Sequence, residues 1–337
     1  MRYVIYGAGA VGGAIGGRLF EHGHDVVLVA RGAHHDAMAS SGLVLESADG
    51  QVTLPVPVTR SPAEARVTSD DVVLLTMKTQ DTAAALNELT AVVDGPVPVV
   101  CVQNGVENER MALRLFPDVY GVCVMLPSTH LEPGLVQVDS TPVTGILDIG
   151  RYPHGTDDVA RTVAADLSGA TFDSRPDGDI MRSKRAKLLL NLGNAIEALS
   201  GPALRGKDLH QRAIEEARAC FAAAGLGFST EEEDKARRGN ILQRRPIRGQ
   251  SRGGGSTWQS FARGTGSIET DHLNGEVVLL GRLHGVPTPV NEMLQRLTRR
   301  HARDLTPAGS VPPQALLKAM ASAGGGVRST GQSSGTT

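Results

Sequence analysis

A Rossmann-type α/β fold, with a doubly wound parallel sheet followed by an all-α second domain, is the class this sequence predicts, and three observations predict it. An apolar run at residues 3–6 passes directly into Gly7-Ala8-Gly9-Ala10-Val11-Gly12, a GxGxxG turn. Short apolar runs then alternate with helical stretches as far as residue 149, the pattern of a parallel sheet. From about residue 179 the strand signal gives way to helical periodicity.

The turn is the first element with a chemical meaning. In such a loop Gly7 permits the tight turn, Gly9 lets backbone approach a pyrophosphate, and Gly12 lets the next helix pack against the strand. The helix start supplies N–H groups and a positive dipole end to the phosphates, so Ala8, Ala10 and Val11 count with the glycines as cofactor-binding positions. A chain with 40 glycines makes the motif weak by itself. Its context strengthens it: a helix expected over 11–21, a stop at Gly23, and a second strand at 25–30 complete a βαβ unit. That strand ends at Ala30-Arg31, with no neighbouring carboxylate for a ribose 2′-hydroxyl. An arginine there suits a 2′-phosphate through charge-assisted hydrogen bonds, so NADPH is expected rather than NADH.

Further strands are expected at 52–58, 72–77, 98–102 and 119–124, with a hairpin at 135–138 and 144–149 extending the edge of the same sheet. Helices follow at 183–200, 209–224 and 266–284, with a capping-box start at Ser229 and Glu232. The expected organisation is a nucleotide-binding domain at 1–175, a helical substrate and catalytic domain at 178–308, and a flexible Gly/Ser-rich tail at 309–337.

Composition narrows the function classes. With 40% hydrophobic and 21% charged residues the chain reads as globular, and a net charge of −2 gives no general reason to expect nucleic acid. No apolar run is long enough for a membrane span and no leader precedes the first strand, so a soluble cytoplasmic protein is expected. Cys101, Cys123 and Cys220 lack metal-ligand spacing; no metal is expected, and a reducing compartment fits. One local exception to the charge balance is Arg237, Arg238, Arg244, Arg245, Arg248 and Arg252. It reads either as a solvated loop or as a mobile electropositive rim that steers an anionic ligand; without interleaved aromatics it does not read as a nucleic-acid site.

The residues that could act on a substrate come later in the chain. Lys187, Asn191 and Asn194 fall at i, i+4 and i+7, within about 60° on one helix face, while leucines fill the rest. Amides in so apolar a helix need partners, either neighbouring helices or a ligand carboxylate or carbonyl. Lys78 and Asn104-Gly105 each follow a strand of the parallel sheet, at the carboxyl edge where open α/β sheets bind ligands. Ser256 leads, after a spacer, to Glu269-Thr270-Asp271-His272-Leu273-Asn274-Gly275, and Leu273, Val277 and Leu280 form an apolar stripe.

Taken in order and spacing, the GxGxxG turn, Arg31, Lys78, Gln103-Asn104-Gly105, Lys187 with Asn191, Ser256 and Glu269-x-Asp271-x-x-Asn274-Gly275 resemble the ketopantoate reductase family over about residues 1–300. The resemblance implies a Rossmann domain plus a helical domain with the active site in the cleft between them, and NADPH-dependent reduction of 2-dehydropantoate (ketopantoate), a small-molecule 2-oxo acid, to pantoate. It implies that Lys187 is the general acid and that Glu269 orients it and touches the cofactor. It also implies that Lys78 contacts the cofactor, that Asn104 bridges nicotinamide and substrate, and that Asn191, Asn194 and Ser256 bind substrate. A lysine suits the task, because a desolvated ammonium gives up its proton readily and stabilises a developing oxyanion. A homodimer is expected only from the resemblance.

The sequence departs from the family pattern where substrate choice is decided. Asn194 stands at i+7 from the lysine where the family's second asparagine is usually at i+8, Trp258 follows Ser256 and Thr257 in place of a smaller aliphatic residue, and the arginine-rich loop is long. Two other readings therefore stay open: a related NADP-dependent enzyme acting on another 2-oxo acid, a hydroxy acid or an imine, and a non-catalytic NADP-binding sensor. The sensor would need only the glycines and Arg31, not Lys187, Asn191 and Glu269.

Overall fold

The computed structural model describes residues 1–249, 254–262 and 268–324. The chain divides into two compact units, Met1–Leu190 with Leu226–Gly253, and Asn191–Gly225 with Gly254–Thr337. The boundary expected at 175–178 is thus displaced. A segment expected in the helical domain returns to the first unit, because its arginines are ion-paired there.

The first unit begins β1 (Arg2–Tyr6), α1 (Ala10–Glu21), β2 (Asp25–Val29), α2 (Gly32–Ser41), β3 (Leu43–Ser47), β4 (Gly50–Leu54), β5 (Val58–Thr59) and β6 (Asp71–Leu75). It continues with α3 (Thr82–Thr90), β7 (Val99–Cys101), α4 (Asn108–Leu113), β8 (Val119–Met125), β9 (Ser128–Thr129), β10 (Leu135–Val138), β11 (Gly145–Arg151), α5 (Asp158–Gly169), β12 (Phe172–Asp173) and most of α6 (Ile180–Asn191). The main sheet has the order β12-β11-β8-β7-β6-β1-β2-β5 and is parallel except where β11 meets β8. Buried parallel strands alternate between two cores, as a period of two requires. Tyr3 and Ile5 enter one core with Leu28 and Leu74; Val4 and Tyr6 enter the other with Val29, Leu75 and the Leu86 and Leu89 of α3.

Two strand expectations are corrected. Residues 50–54 pair antiparallel with β3 in a separate sheet of order β4-β3-β10-β9, and of the expected run only Val58, together with Thr59, joins the main sheet. The expected hairpin at 135–138 and 144–149 does not form: β10 pairs parallel with β3, whereas β11 pairs with β8. The reason lies in α1. Its Gly12 and Gly16 turn to the main sheet, and its Gly13 and Gly17 turn to the second, where an added Cβ would stand 2.8 Å from Val136 Cγ2 and 2.6 Å from Leu45 Cδ1 respectively. The helix is packed on two sides, and the second sheet is its other wall.

In the second unit α7 (Gly193–Ser200) and α8 (Asp208–Ala223) precede the return of α9 (Glu231–Arg238) to the first unit. Then come α10 (Ser256–Ala262), a 3-10 turn at Glu269–His272, α11 (Asn274–His284), α12 (Pro289–Arg303) and α13 (Pro313–Gly324). Leu209, Ala213, Ala217 and Cys220 make the buried stripe of α8, which packs against α11, and Leu273, Val277 and Leu280 are buried as their sequence stripe suggests. The capping box is one residue later than expected: Thr230 Oγ1 accepts from Glu233 N, and the Glu233 carboxylate accepts from Thr230 N. Part of the expected flexible tail is ordered, because Leu316 and Met320 of α13 are buried; residues 325–337 lie outside the described residues.

Candidate active site

The glycine turn joins β1 to α1 at the point where the sheet order reverses: β2 follows on one side of β1, and β6 lies on the other. Such a switch point is where doubly wound sheets bind ligands. Gly7 takes φ +106°, and its N–H donates to Val29 O at 3.0 Å, locking the turn to β2. Thr76 Oγ1 donates to Gly7 O at 2.8 Å from the β6 side. A Cβ at Gly12 would stand 2.5 Å from Gly7 O, whereas a Cβ at Gly9 would meet nothing within 4 Å. Gly9, the N-cap of α1, therefore leaves open space beside the turn, where the N–H groups of the helix's first turn would face an anion. These residues fit a dinucleotide pyrophosphate.

The contrast between the two glycines gives an expected result. Gly12→Ala should lower unfolding free energy by about 1–3 kcal/mol through overpacking. Gly9→Ala should leave urea unfolding unchanged and weaken cofactor binding in a fluorescence titration. Equal urea midpoints for the two variants would contradict the packing role of Gly12.

His34, which sequence reasoning did not single out, braces the turn. Gly134 N donates to its Nδ1 at 2.9 Å, so Nε2 carries the proton and donates to Ala8 O at 2.7 Å. Burial lowers its pKa, partly offset by the Ala8 hydrogen bond, and favours this neutral tautomer.

Lys78 and Asn104 leave the carboxyl ends of the adjacent parallel strands β6 and β7, as expected. Behind them is a buried amide and hydroxyl network. Gln103 Nε2 donates to Thr82 Oγ1 at 2.8 Å, Thr82 Oγ1 donates to Asn108 Oδ1 at 2.9 Å, and Asn108 Nδ2 donates to Asn104 O at 3.2 Å. Gly105, at φ +84°, closes this loop.

Lys187 is half-buried on α6. One turn earlier, Lys184 is 3% exposed and lies 2.8 Å from Oε1 of Glu109, which is fully buried. The Lys184 ammonium also donates to Gln103 O at 2.8 Å and Val122 O at 3.1 Å. It thereby ties the helix of Lys187 to the loop of Asn104. Nothing in the local sequence distinguished Lys184 from a solvated lysine. Cys123 of β8 senses both ammonium groups: burial raises its thiol pKa to about 11, and the charges of Lys187 and Lys184 oppose that rise. Cys101, Cys123 and Cys220 are all buried and free.

In the second unit, Asn191, Asn194 and Glu269 are buried and Ser256 is half-buried at the start of α10. The helix expected over 183–200 is divided at Leu192 into α6 and α7, and Asn274 Nδ2 donates to the Leu192 carbonyl at 3.5 Å. Asn274 is in turn held to Asn291 Oδ1 at 3.0 Å, and the carboxylate of Glu216 caps the start of α12 through Val290 N and Asn291 N. Gly255 stands against Asn194 and Glu197, at 3.3 and 3.2 Å from the Cβ it lacks, so the segment of Ser256 meets the start of α7. The glycine permits that approach.

Four arginines of the cluster are matched by acids. Arg237 pairs with Asp148 at 2.5 Å and Asp173 at 2.7 Å, Arg245 with Asp49 at 2.5 Å, Arg248 with Glu46 and Arg238 with Asp234. Arg252 lies outside the described residues. A cavity of about 300 Å³ beside these pairs, lined by Cys123, Asp148, Arg182, Arg237 and Arg238 among others, contains none of the expected site residues. Arg31 also differs from expectation. It lacks a carboxylate nearby in sequence, yet its Nη2 donates to both carboxylate oxygens of Glu88, at 2.7 and 2.8 Å.

Among the described residues no group of His, Cys, Asp and Glu is placed to hold a metal, and no helix is long and apolar enough to cross a membrane. A family model described as ketopantoate reductase PanE/ApbA matches residues 3–154, and its C-terminal counterpart matches 179–302. A 2-dehydropantoate 2-reductase of Pyrococcus horikoshii is 28% identical over 89% of this chain and 97% of its own, and one of Halobacterium salinarum is 27% identical over 90% and 100%. The crystal structure of a PanE/ApbA family ketopantoate reductase from Ralstonia eutropha is 30% identical, with TM-score 0.75, over 90% of this chain and 99% of its own. A D-mandelate dehydrogenase solved with NADH and anilino(oxo)acetate shares the fold at 20% identity and TM-score 0.77, over 91% and 100%.

Proposed function

Because the chain belongs to the ketopantoate reductase PanE/ApbA family, we propose that it is an oxidoreductase that uses NADPH to reduce a 2-oxo acid, with 2-dehydropantoate as substrate and pantoate as product. One observation carries the reading. A single folded unit holds the glycine turn at the sheet's switch point, Lys78 and Asn104 at adjacent strand ends, and Lys187 on a helix fastened to the Asn104 loop. Its relatives named 2-dehydropantoate 2-reductase support the substrate.

The chemistry supplied by the cofactor is a hydride for the carbonyl carbon. The protein's own residues do the rest. Gly9 and the first turn of α1 receive the pyrophosphate, and Arg31 at the end of β2 receives the 2′-phosphate. Lys78 and Asn104 position the nicotinamide end. Lys187 Nζ donates a proton to the carbonyl oxygen as the C–O double bond becomes an alcohol, and its charge stabilises the oxyanion before the proton arrives. Asn191, Asn194 and Ser256 supply hydrogen bonds to the substrate carboxylate and hydroxyl. Glu269 keeps the role that the resemblance gives it.

A second reading, reduction of another 2-oxo acid or an imine, has a specific ground: Asn194 stands at i+7 from Lys187, where the family's second asparagine is usually at i+8. A steady-state screen of NADPH oxidation separates the two. Ketopantoate should give the highest kcat/KM in a panel of aliphatic and aromatic 2-oxo acids and cyclic imines. A higher value for an aromatic 2-oxo acid or an imine favours the second reading, and no oxidation with any of them contradicts both.

A further inference from the structure

We propose that Glu88 is a specificity-determining residue for the cofactor, a built-in carboxylate that competes with a 2′-phosphate for Arg31 and offers an acceptor to a ribose 2′-hydroxyl. The inference rests on the reading of Arg31 as the 2′-phosphate ligand and deepens it.

Three elements around the switch point meet here. Arg31 N-caps α2 directly after β2, Glu88 projects from α3 after β6, and Tyr6 is the last residue of β1 between them. Arg31 Nη2 donates to Glu88 Oε1 at 2.7 Å and Oε2 at 2.8 Å, and the Tyr6 hydroxyl donates to Oε2 at 2.5 Å. Tyr6 is 4% exposed, so its hydroxyl fixes the carboxylate from the interior. The Arg31 and Glu88 side chains are 63% and 42% exposed, within reach of a ligand from solvent. The Tyr6 hydrogen bond first, and then Arg31, hold the Glu88 carboxyl below the usual carboxylate range, while partial burial works against them. It is ionised at neutral pH.

A carboxylate on an arginine has the charge and acceptor geometry of one face of a phosphate. A 2′-phosphate must therefore break the Arg31–Glu88 pair or bind beside a like charge. A 2′-hydroxyl meets neither cost and can donate to Glu88, as acidic residues do in NAD sites. Arg31 favours NADPH, Glu88 pulls back toward NADH, and the chain discriminates less than Arg31 alone would make it.

Fluorescence titration of NADPH and NADH into the full chain tests this, comparing wild type with Glu88→Gln, Glu88→Ala, Tyr6→Phe and Arg31→Ala. Both Glu88 variants should tighten NADPH by about 3- to 10-fold and loosen NADH, as expected for losing a charge-assisted partner. Tyr6→Phe should move both constants in the same directions by less. Arg31→Ala should loosen NADPH alone. If Arg31→Ala loosens NADPH but the Glu88 variants leave both constants unchanged or weaken NADPH, the inference about Glu88 is overturned and the reading of Arg31 stands. If Arg31→Ala leaves NADPH binding unchanged, the reading of Arg31 falls, and the inference with it.

Discussion

Replacing Lys187 with alanine should lower kcat by about 100- to 10,000-fold, the range for removing a positioned general acid, while the NADPH dissociation constant stays within about twofold. The variant loses the proton donor and the charge that stabilises the oxyanion, and it loses nothing at the glycine turn or Arg31. Stopped-flow absorbance at 340 nm separates the two quantities. Wild-type turnover in the variant removes Lys187 from the mechanism; a loss confined to cofactor binding makes it a cofactor ligand.

The second large effect belongs to Lys184 and Glu109. Both charges are buried in the first unit, and truncating one leaves the other without its counterion. Lys184→Met or Glu109→Leu alone should cost about 3–5 kcal/mol in urea unfolding. The double variant removes both charges and should recover much of that loss, although the Gln103 and Val122 carbonyls lose their donor. Because Lys184 joins the helix of Lys187 to the loop of Asn104, the double variant should fold and still show reduced kcat with KM changed less. A cost below about 1 kcal/mol for either single variant would contradict a buried, coupled pair.

The parts of this molecule legible in sequence are those governed by local rules. The βαβ unit, the glycine turn, the buried strands 71–75 and 119–125, and the apolar stripes of α8 and α11 follow from periods of 2 and 3.6 and from the steric need for glycine. Non-local pairing was not legible. Residues 44–46 join residues 135–137 across some ninety positions, and no local pattern announces it, although the paired glycines on α1, one residue out of phase, record that this helix is packed on both sides. Charge was the least legible feature. Glu88, Glu109 and Lys184 look like solvated residues in their own segments, and the arginines of 237–248 look free until Asp148, Asp173, Asp49 and Glu46 arrive from elsewhere in the chain. The candidate site followed the same division: its glycines, Lys78 and Asn104 lie where strand ends put them, while the anchors behind them come from other segments.

Hydride transfer to the carbonyl carbon of a 2-oxo acid is the step on which the proposed function turns. Incubating this chain with ketopantoate and NADPH deuterated at the transferable C4 position, then analysing the product by mass spectrometry and NMR, tests it directly. Pantoate should form in equal amount to the NADPH consumed, with deuterium at the new C–H of C2. NADPH consumed without a 2-hydroxy acid, or pantoate without deuterium at C2, would contradict it.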